Sequence, residues 1–189
     1  MKQIFDRDYP VTSILLILTS LVFALMFLSY SFQYSSSEAL YHFGAVHGYT
    51  IQAMPEQFWR VFAAIFIHIG LEHFVVNMLT LYFLGRQIEA IFGSWKFLIL
   101  YLMSGVMGNL FVVYFSPNSL AAGASTALFG LFASVVVLRF ATRNYYLQQL
   151  GQSYMSLLAV NLVMSFLPGI SLAGHLGGLV GGALGAVIL

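Results

Sequence analysis

Six long apolar stretches, nearly free of charged residues, constrain the fold of this 189-residue chain more than any other feature. Hydrophobic residues make up 60% of the sequence and charged residues 7%, whereas a soluble globular domain carries about 25% charged residues. An α-helix needs roughly 20 apolar residues to cross the hydrocarbon core of a lipid bilayer. We therefore predict an all-α membrane protein, embedded in the bilayer as a single domain over residues 1–189.

The six predicted spans, some of them only approximate in length, are Val11 to Phe32, Leu71 to Leu84 with a continuation towards Glu89, Trp95 to Phe115, Ala124 to Phe140, Gln149 to Leu167, and Leu172 to Leu189. A long mixed segment, Gln33 to Ile69, separates the first two. Within it Val61 to Ile67 is apolar but too short to span, which is typical of a re-entrant or interfacial piece. The first stretch lacks a small-residue cleavage site, so we expect a retained span. No cation follows the last span, so a native chain that continues past Leu189 is compatible with the sequence.

The composition also excludes several kinds of site and partner. The chain has no cysteine, which rules out disulfides, a thiol nucleophile and a cysteine-based metal site. Its formal net charge is +1 and it has no basic run, so we expect no nucleic-acid partner.

Lysine and arginine favour cytoplasmic loops, and their positions predict the orientation of the bundle. With six spans, six of the seven cations fall on one face: Lys2, Arg7, Arg86, Lys96, Arg139 and Arg143. Only Arg60 falls on the other face. We predict a multi-pass protein of the cell membrane with both termini in the cytoplasm and the Gln33 to Ile69 loop outside. Spans two, four and six then run inward from the outer face.

The outer ends of these three parallel spans carry polar residues at one depth, namely His73 with Asn77, then Ser125, then His175. Polar side chains within a membrane are costly and usually face the bundle interior or a water-filled cavity. A serine hydroxyl is a weak nucleophile until a base activates it, and a neutral histidine is a suitable base at pH 7. The pattern predicts Ser125 as nucleophile and His175 as base. The structural alternatives are a helix-packing serine and an interhelical hydrogen bond from the histidine.

Donors for a tetrahedral oxyanion are also present at this depth. His73 and Asn77 are four residues apart, so they share one helix face, and both carry side-chain N–H groups. The backbone N–H of Ser125 adds a third donor, because the first N–H groups of a helix lack partners within it. These groups predict an oxyanion hole. The alternative for Asn77 is that it ties helices together.

No carboxylate is placed to complete a triad. Of the six acidic residues only Glu72 lies near the right depth, and it points about 100° around the helix from His73. We therefore predict a Ser–His dyad. Ring packing can orient the base instead, since Phe129 follows Ser125 by four residues and shares its face, where it can stack on His175.

Glycines in the last span favour close helix packing. Gly178 and Gly182 form a small-xxx-small pair of the kind that lets membrane helices approach closely. The dyad requires such an approach of span six to span four.

In their order, four motifs of this chain resemble the rhomboid family of intramembrane serine proteases, over roughly Trp59 to the C-terminus. They are Trp59-Arg60 with His68 and His73-Phe74-Val75-Val76-Asn77; Gly85-Arg86-Gln87-Ile88-Glu89 with Gly93; Gly123-Ala124-Ser125; and His175-Leu176-Gly177-Gly178 with Gly182.

The resemblance implies a six-span bundle that cleaves transmembrane segments of other membrane proteins near the outer face, without a metal or cofactor. It implies Ser125 as nucleophile, His175 as base, and an oxyanion hole of His73, Asn77 and the Ser125 amide. His68, Phe129 and Gly178 are expected around this pair. Substrates would enter laterally near span five, beneath a cap formed by the Pro168-Gly169 loop.

One position departs from the family pattern, since Thr126 stands where the motif usually has glycine. We predict an ordinary helical backbone at Thr126, with its side chain directed away from the His175 ring and its hydroxyl bonded locally to the backbone.

Three other functions compete with this interpretation. A zinc site at His68 and His73 is disfavoured, because the two are five residues apart, about 140° around a helix, whereas paired ligands usually stand four apart. A non-catalytic member of the same fold that binds membrane proteins would typically lack the dyad. A transporter or channel would be expected to show inverted repeats and more intramembrane charge, and neither is evident.

Overall fold

The computed structural model describes residues 6–189, and Lys2, one of the cations used to predict the orientation, lies outside them. The structure is mostly helical. Its α-helices are α1 (Pro10–Tyr30), α2 (Ser37–Phe43), α3 (Gly48–Ala53), α4 (Arg60–Ala63), α5 (Gly70–Thr80), α6 (Arg86–Phe92), α7 (Ser94–Phe115), α8 (Ser125–Ala141), α9 (Tyr145–Met164) and α10 (Leu172–Ile188). Short 3₁₀ segments occupy Ser31–Gln33, Pro55–Trp59 and Ala64–Phe66, and a π-helical turn, Leu81–Gly85, joins α5 to α6.

Each predicted apolar stretch is helical, but the helices differ in their capacity to cross a bilayer. By length and composition, two segments within residues 6–189 qualify, Pro10–Gln33 and Ser94–Phe115. A third qualifies if Pro55–Phe66 and Gly70–Phe92, which are bent by 74° at the break between them, form one span. Helices α8 and α10 are apolar but have 17 residues each, which extend about 25 Å against a hydrocarbon core of about 30 Å. The arrangement of six spans therefore stays a prediction.

A buried arginine organises the long segment between α1 and α5. Arg60 of α4 donates to the carbonyl oxygens of Tyr41, at 2.5 Å, and Ala45, at 3.4 Å. Its guanidinium also lies 4.0 Å from the centroid of the Tyr41 ring and 4.9 Å from that of Trp59. Such stacking suits a planar, weakly hydrated cation. The cation that the sequence places on the face opposite the others thus connects the short helices of this segment.

This segment reaches the entrance of α8 through a small antiparallel sheet. Strand β1 (Val46–His47) pairs with β2 (Leu120–Ala121), with Val46 opposite Ala121. Because β2 lies just before α8, the pairing fixes the start of that helix relative to the segment between α1 and α5.

Glu89 holds the beginnings of two helices. Its buried carboxylate accepts from the backbone N–H groups of Val11, at 3.0 Å, and Thr12, at 2.8 Å, and from the Thr12 hydroxyl at 2.7 Å. The Ser94 hydroxyl donates to it at 2.7 Å. Unpaired N–H groups at a helix start favour a negative charge, which explains a buried carboxylate at this place. Gly93, at φ +80°, makes the sharp turn between α6 and α7.

Helix α10 lies between α7 and α8 and presents glycines to both. On the α8 side, a Cβ atom at Gly178 would overlap the carbonyl oxygen of Thr126, and one at Gly182 would overlap the backbone of Gly130. Backbones can approach this closely only when no side chain stands between them. The close contact of the two helices brings their N-terminal ends together.

On the α7 side, glycines allow a similar approach. A Cβ atom at Gly177 would lie 2.6 Å from the ring of Phe111, and one at Gly181 would lie 2.9 Å from the Cα of Ser104. Helix α10 is therefore held between two neighbours, which restricts the position of the residues in its first turn.

Candidate active site

A tight glycine turn delivers Ser125 to the start of α8. Gly123 has φ +138°, a region that favours glycine, and its N–H donates to the Ala64 carbonyl at 2.9 Å. A Cβ atom at Gly123 would lie 2.5 Å from Cε1 of His73. Glycine is therefore required here both for its backbone angle and because a side chain would overlap His73. The turn leaves Ser125 half-buried as the first residue of α8.

His175 faces Ser125 from the first turn of α10. Its Nε2 lies 3.0 Å from Oγ of Ser125, which is hydrogen-bond distance. His175 is buried, with 7% of the residue exposed. The ring of Phe129 stacks on it, with centroids 3.9 Å apart and planes 13° from parallel. The serine and histidine that the sequence suggests as nucleophile and base are therefore in contact, on two helices 50 residues apart in the chain.

Ser165 contacts the other ring nitrogen of His175, a contact that sequence reasoning missed. Its Oγ lies 2.6 Å from Nδ1 of His175 and 2.9 Å from the carbonyl oxygen of Asn161. Ser165 directly follows α9 and is 1% exposed. No sequence motif marks a serine at the end of an apolar helix. The one signal in the sequence was the short connection from α9 to α10, which keeps the end of α9 close to the first turn of α10.

His73 stands beside the turn that precedes Ser125. Its Nδ1 accepts from the backbone N–H of Ile69 at 3.4 Å, so in the neutral ring the proton belongs on Nε2. That Nε2 would lie 2.9 Å from a Cβ at Gly123. The Nε2–H donor of His73 therefore lies close to the glycine turn that precedes Ser125.

Asn77 is buried one turn further along α5. Its Nδ2 donates to the carbonyl oxygen of His73 at 2.9 Å, a bond within its own helix and not one that ties two helices. An amide nitrogen carries two protons, so one remains for another acceptor. The backbone N–H of Ser125 has no acceptor among residues 6–189. Asn77 and the Ser125 amide thus each retain an N–H that is free to donate.

His68 braces the turn before Ser125 from behind. The buried His68 ring accepts from the backbone N–H of Ala124 at its Nε2, at 3.4 Å, and packs edge-on against Phe74 with centroids 5.6 Å apart. Its centroid lies 5.2 Å from that of His73. His68 therefore contacts the backbone of Ala124, the residue before Ser125, and not Ser125 itself.

Thr126 has the helical backbone that was predicted, but its hydroxyl differs from expectation. The prediction of a local hydrogen bond is wrong, because Oγ1 is buried without a partner in the described part of the chain. The side chain packs against two glycines. A Cβ atom at Gly108 would lie 2.5 Å from Cβ of Thr126, and one at Gly174 would lie 3.1 Å from its Cγ2. The room for threonine comes from small neighbours on α7 and α10.

Two further features of the sequence to locate are the acidic residue Glu72 and any cluster of possible metal ligands. Glu72 is exposed at the start of α5. Within residues 6–189, no group of three or more His, Cys, Asp or Glu side chains is placed to hold a metal ion.

The helical architecture and the apolar surface define a membrane protein, and its site contains a serine in contact with a buried histidine. A family model described as the rhomboid domain matches residues 55–189. The chain therefore belongs to the rhomboid family.

Three relatives indicate how far the similarity extends. The chain is 33% identical to Rhomboid protease GluP of Bacillus subtilis strain 168 over 156 residues, which is 82% of this chain and 30% of GluP. It is 30% identical to YdcA of the same organism, named a candidate rhomboid protease, over 96% of this chain and 89% of YdcA. It is also 31% identical to Inactive RHOMBOID-like protein 8 of Arabidopsis thaliana, over 77% of this chain and 42% of that protein. The chain thus spans nearly the whole of YdcA but under half of the other two.

Proposed function

We propose that this protein is an intramembrane serine endopeptidase that cleaves transmembrane segments of membrane proteins, with Ser125 and His175 as its catalytic dyad. The observation that carries the proposal is the 3.0 Å contact between Oγ of Ser125 and Nε2 of His175. A serine hydroxyl in hydrogen-bond contact with a buried imidazole is the arrangement that activates a serine. Family membership and the protease names of two relatives support the same reaction.

The chemistry follows from the two groups. Oγ of Ser125 attacks the scissile carbonyl carbon while its proton passes to Nε2 of His175. The tetrahedral intermediate then collapses, the C–N bond breaks, and the leaving amine takes the proton from Nε2. A water molecule repeats the sequence on the acyl-enzyme, which restores Ser125 and releases the second product.

His73, Asn77 and the Ser125 amide form the proposed oxyanion hole. Nε2 of His73 lies close to the turn before Ser125, and the Ser125 N–H has no acceptor among the described residues. Preorganised donors stabilise the charge that develops on the carbonyl oxygen. His68, Phe129 and Gly178 support the dyad by bracing the turn, stacking on the imidazole and admitting α10 against α8.

The proposed membrane arrangement is a single six-span domain over residues 1–189, with both termini in the cytoplasm and the dyad near the outer face. The cation distribution supports this orientation. Cysteines introduced near Gly48 would then be labelled from outside, and cysteines near Arg143 only after the inner face is opened. The reverse labelling pattern would place the dyad near the cytoplasmic face.

Substrates are proposed to enter beside α9, beneath the Pro168-Gly169 loop. Along α9 only Gly151 is fully buried, so this helix is attached more lightly than its neighbours. Its packing is mainly against α8. A lightly packed helix beside the dyad suits the admission of another helix from the bilayer.

The alternative is a non-catalytic member of the fold that binds membrane proteins, and a relative named inactive keeps it open. Labelling with a fluorophosphonate separates the two, because such reagents modify activated serines. We expect the label on Ser125 in the native protein and none in Ser125→Ala. Ser134→Ala is the matched control, since Ser134 is a buried serine of the same helix bonded only to the Leu131 carbonyl at 2.7 Å. A native protein that stays unlabelled would favour the binding function.

A further inference from the structure

The imidazole of His175 is held at both of its nitrogens. Nε2 contacts Oγ of Ser125 at 3.0 Å, and Nδ1 contacts Oγ of Ser165 at 2.6 Å. We propose that Ser165 is the positioning residue of the dyad, and that its hydroxyl holds His175 in the tautomer in which Nε2 is the basic nitrogen. This role rests on the serine endopeptidase function proposed above.

The proton count around Ser165 assigns that tautomer. Its Oγ lies 2.9 Å from the carbonyl oxygen of Asn161, which can only accept, so the single hydroxyl proton of Ser165 points there. Oγ then accepts the hydrogen bond from His175, and the donor is Nδ1–H. A neutral imidazole has one such proton, so Nε2 is left with a free lone pair towards Ser125.

The opposite arrangement is less favourable and cannot start the reaction. If the Ser165 hydroxyl donated to Nδ1, two oxygens without a proton between them would face each other at 2.9 Å. Nε2 would then carry the ring proton and could not accept one from Ser125. Ser165 therefore selects the reactive form, and it does so in a place where water has little access, since the residue is 1% exposed.

The contact also gains strength as the reaction proceeds. When the proton of Ser125 reaches Nε2, the ring becomes an imidazolium with a proton on each nitrogen, and Nδ1–H stays bonded to Ser165. Hydrogen bonds from an ionised donor are roughly twice as strong as neutral ones. Ser165 keeps its own proton throughout. Its contribution therefore belongs to the transition state and should appear in kcat and not in KM.

A purely local role for the Ser165 hydroxyl can be tested with a second serine of α9. Serine hydroxyls near helix ends commonly bond the carbonyl four residues back. Ser153 makes the same bond, to the carbonyl of Gln149 at 3.2 Å, but it is exposed and contacts no histidine. Ser153→Ala thus removes the local bond alone, whereas Ser165→Ala removes the local bond and the contact with His175.

The experiment measures kcat and KM for cleavage of a model transmembrane substrate in detergent, with thermal unfolding to show that each variant is folded. We expect Ser165→Ala to lower kcat about 10- to 100-fold, as for loss of one hydrogen bond to a charged group, with KM unchanged. Ser153→Ala should match the native protein. A native kcat in folded Ser165→Ala, or a change confined to KM, overturns the positioning role.

A second pair of variants isolates the hydroxyl if Ser165→Ala does not fold. Ser165→Thr and Ser165→Val have nearly the same shape, and only the first keeps the hydroxyl. A higher kcat for Ser165→Thr than for Ser165→Val supports the proposal, and equal kcat values overturn it. Ser125→Ala, measured in parallel, separates the two hypotheses. Residual cleavage in folded Ser125→Ala rejects Ser125 as the nucleophile and with it the proposed serine mechanism, whereas an inactive Ser125→Ala beside a fully active Ser165→Ala rejects only the role of Ser165.

Discussion

The contact between Gly178 and the α8 backbone predicts a large loss of activity from the smallest possible substitution. In Gly178→Ala the new methyl group overlaps the carbonyl oxygen of Thr126. Ordinary contact between such atoms needs about 3.5 Å, so α10 has to move away from α8 by more than about 1 Å. That motion separates His175 from Ser125, which now lie 3.0 Å apart.

The expected effects on rate and on stability differ in size. A misplacement of about 1 Å can cost roughly 100-fold in rate. Overpacking costs about 1–3 kcal/mol of stability, and the better helix propensity of alanine returns about 1 kcal/mol, so the free energy of unfolding falls by about 2 kcal/mol at most. A protein that starts from 5 kcal/mol or more, by the usual order of magnitude of about 5–15 kcal/mol, remains folded after such a loss. We therefore expect a rate defect in a folded protein.

The assay compares kcat on a transmembrane substrate with the midpoint of thermal unfolding. Gly185→Ala is the matched control on the same helix, because its methyl would meet only the ends of flexible side chains, Cδ1 of Leu100 at 2.5 Å and Cε of Met103 at 2.6 Å. We expect near-native activity in this control. If Gly178→Ala cleaves as fast as Gly185→Ala, the close packing of α10 on α8 does not position the dyad.

Three further predictions follow from individual contacts. Glu89→Ala should lower the free energy of unfolding by at least about 2 kcal/mol, because buried donors at the starts of α1 and α7 lose their acceptor; an unchanged unfolding midpoint would contradict this role. His73→Ala and Asn77→Ala should each lower kcat, by up to about 10²–10³-fold, more than they raise KM, since oxyanion donors act in the transition state; steady-state kinetics in which only KM changes would show the assignment to be wrong. Thr126→Val should keep or raise the unfolding midpoint by replacing an unpartnered buried hydroxyl with a methyl group, a gain of about 1 kcal/mol at most; calorimetry showing a clear loss would mean that the hydroxyl has a partner.

The proximity of Ser125 and His175 could be predicted from the sequence, because the order of the apolar stretches indicates which residues lie at the same depth in a membrane. Apolar stretches set the register of each helix, and the i, i+4 rule placed Phe129 on the face of Ser125, where its ring now stacks on the imidazole. Such rules depend only on positions within one helix and on the alternation of spans.

Contacts that depend on how helices pack were beyond those rules. Ser165 contacts His175 because the connection between α9 and α10 folds back. No local sequence pattern distinguishes Ser165 from an ordinary serine at the end of a helix. Glu89 was visible only as part of a motif, while its four hydrogen bonds come from chain segments on both sides of it. The predicted local hydrogen bond of the Thr126 hydroxyl is wrong, because the surrounding glycines accommodate the side chain without supplying an acceptor.

The most direct test of the central claim is cleavage within the bilayer itself. The purified protein and a single-span substrate are placed together in liposomes, and the products are identified by mass spectrometry. The account predicts one cut near the outer end of the transmembrane segment by the native protein, no product from Ser125→Ala, and native cleavage by Ser134→Ala. A cut of equal extent by folded Ser125→Ala would contradict the account.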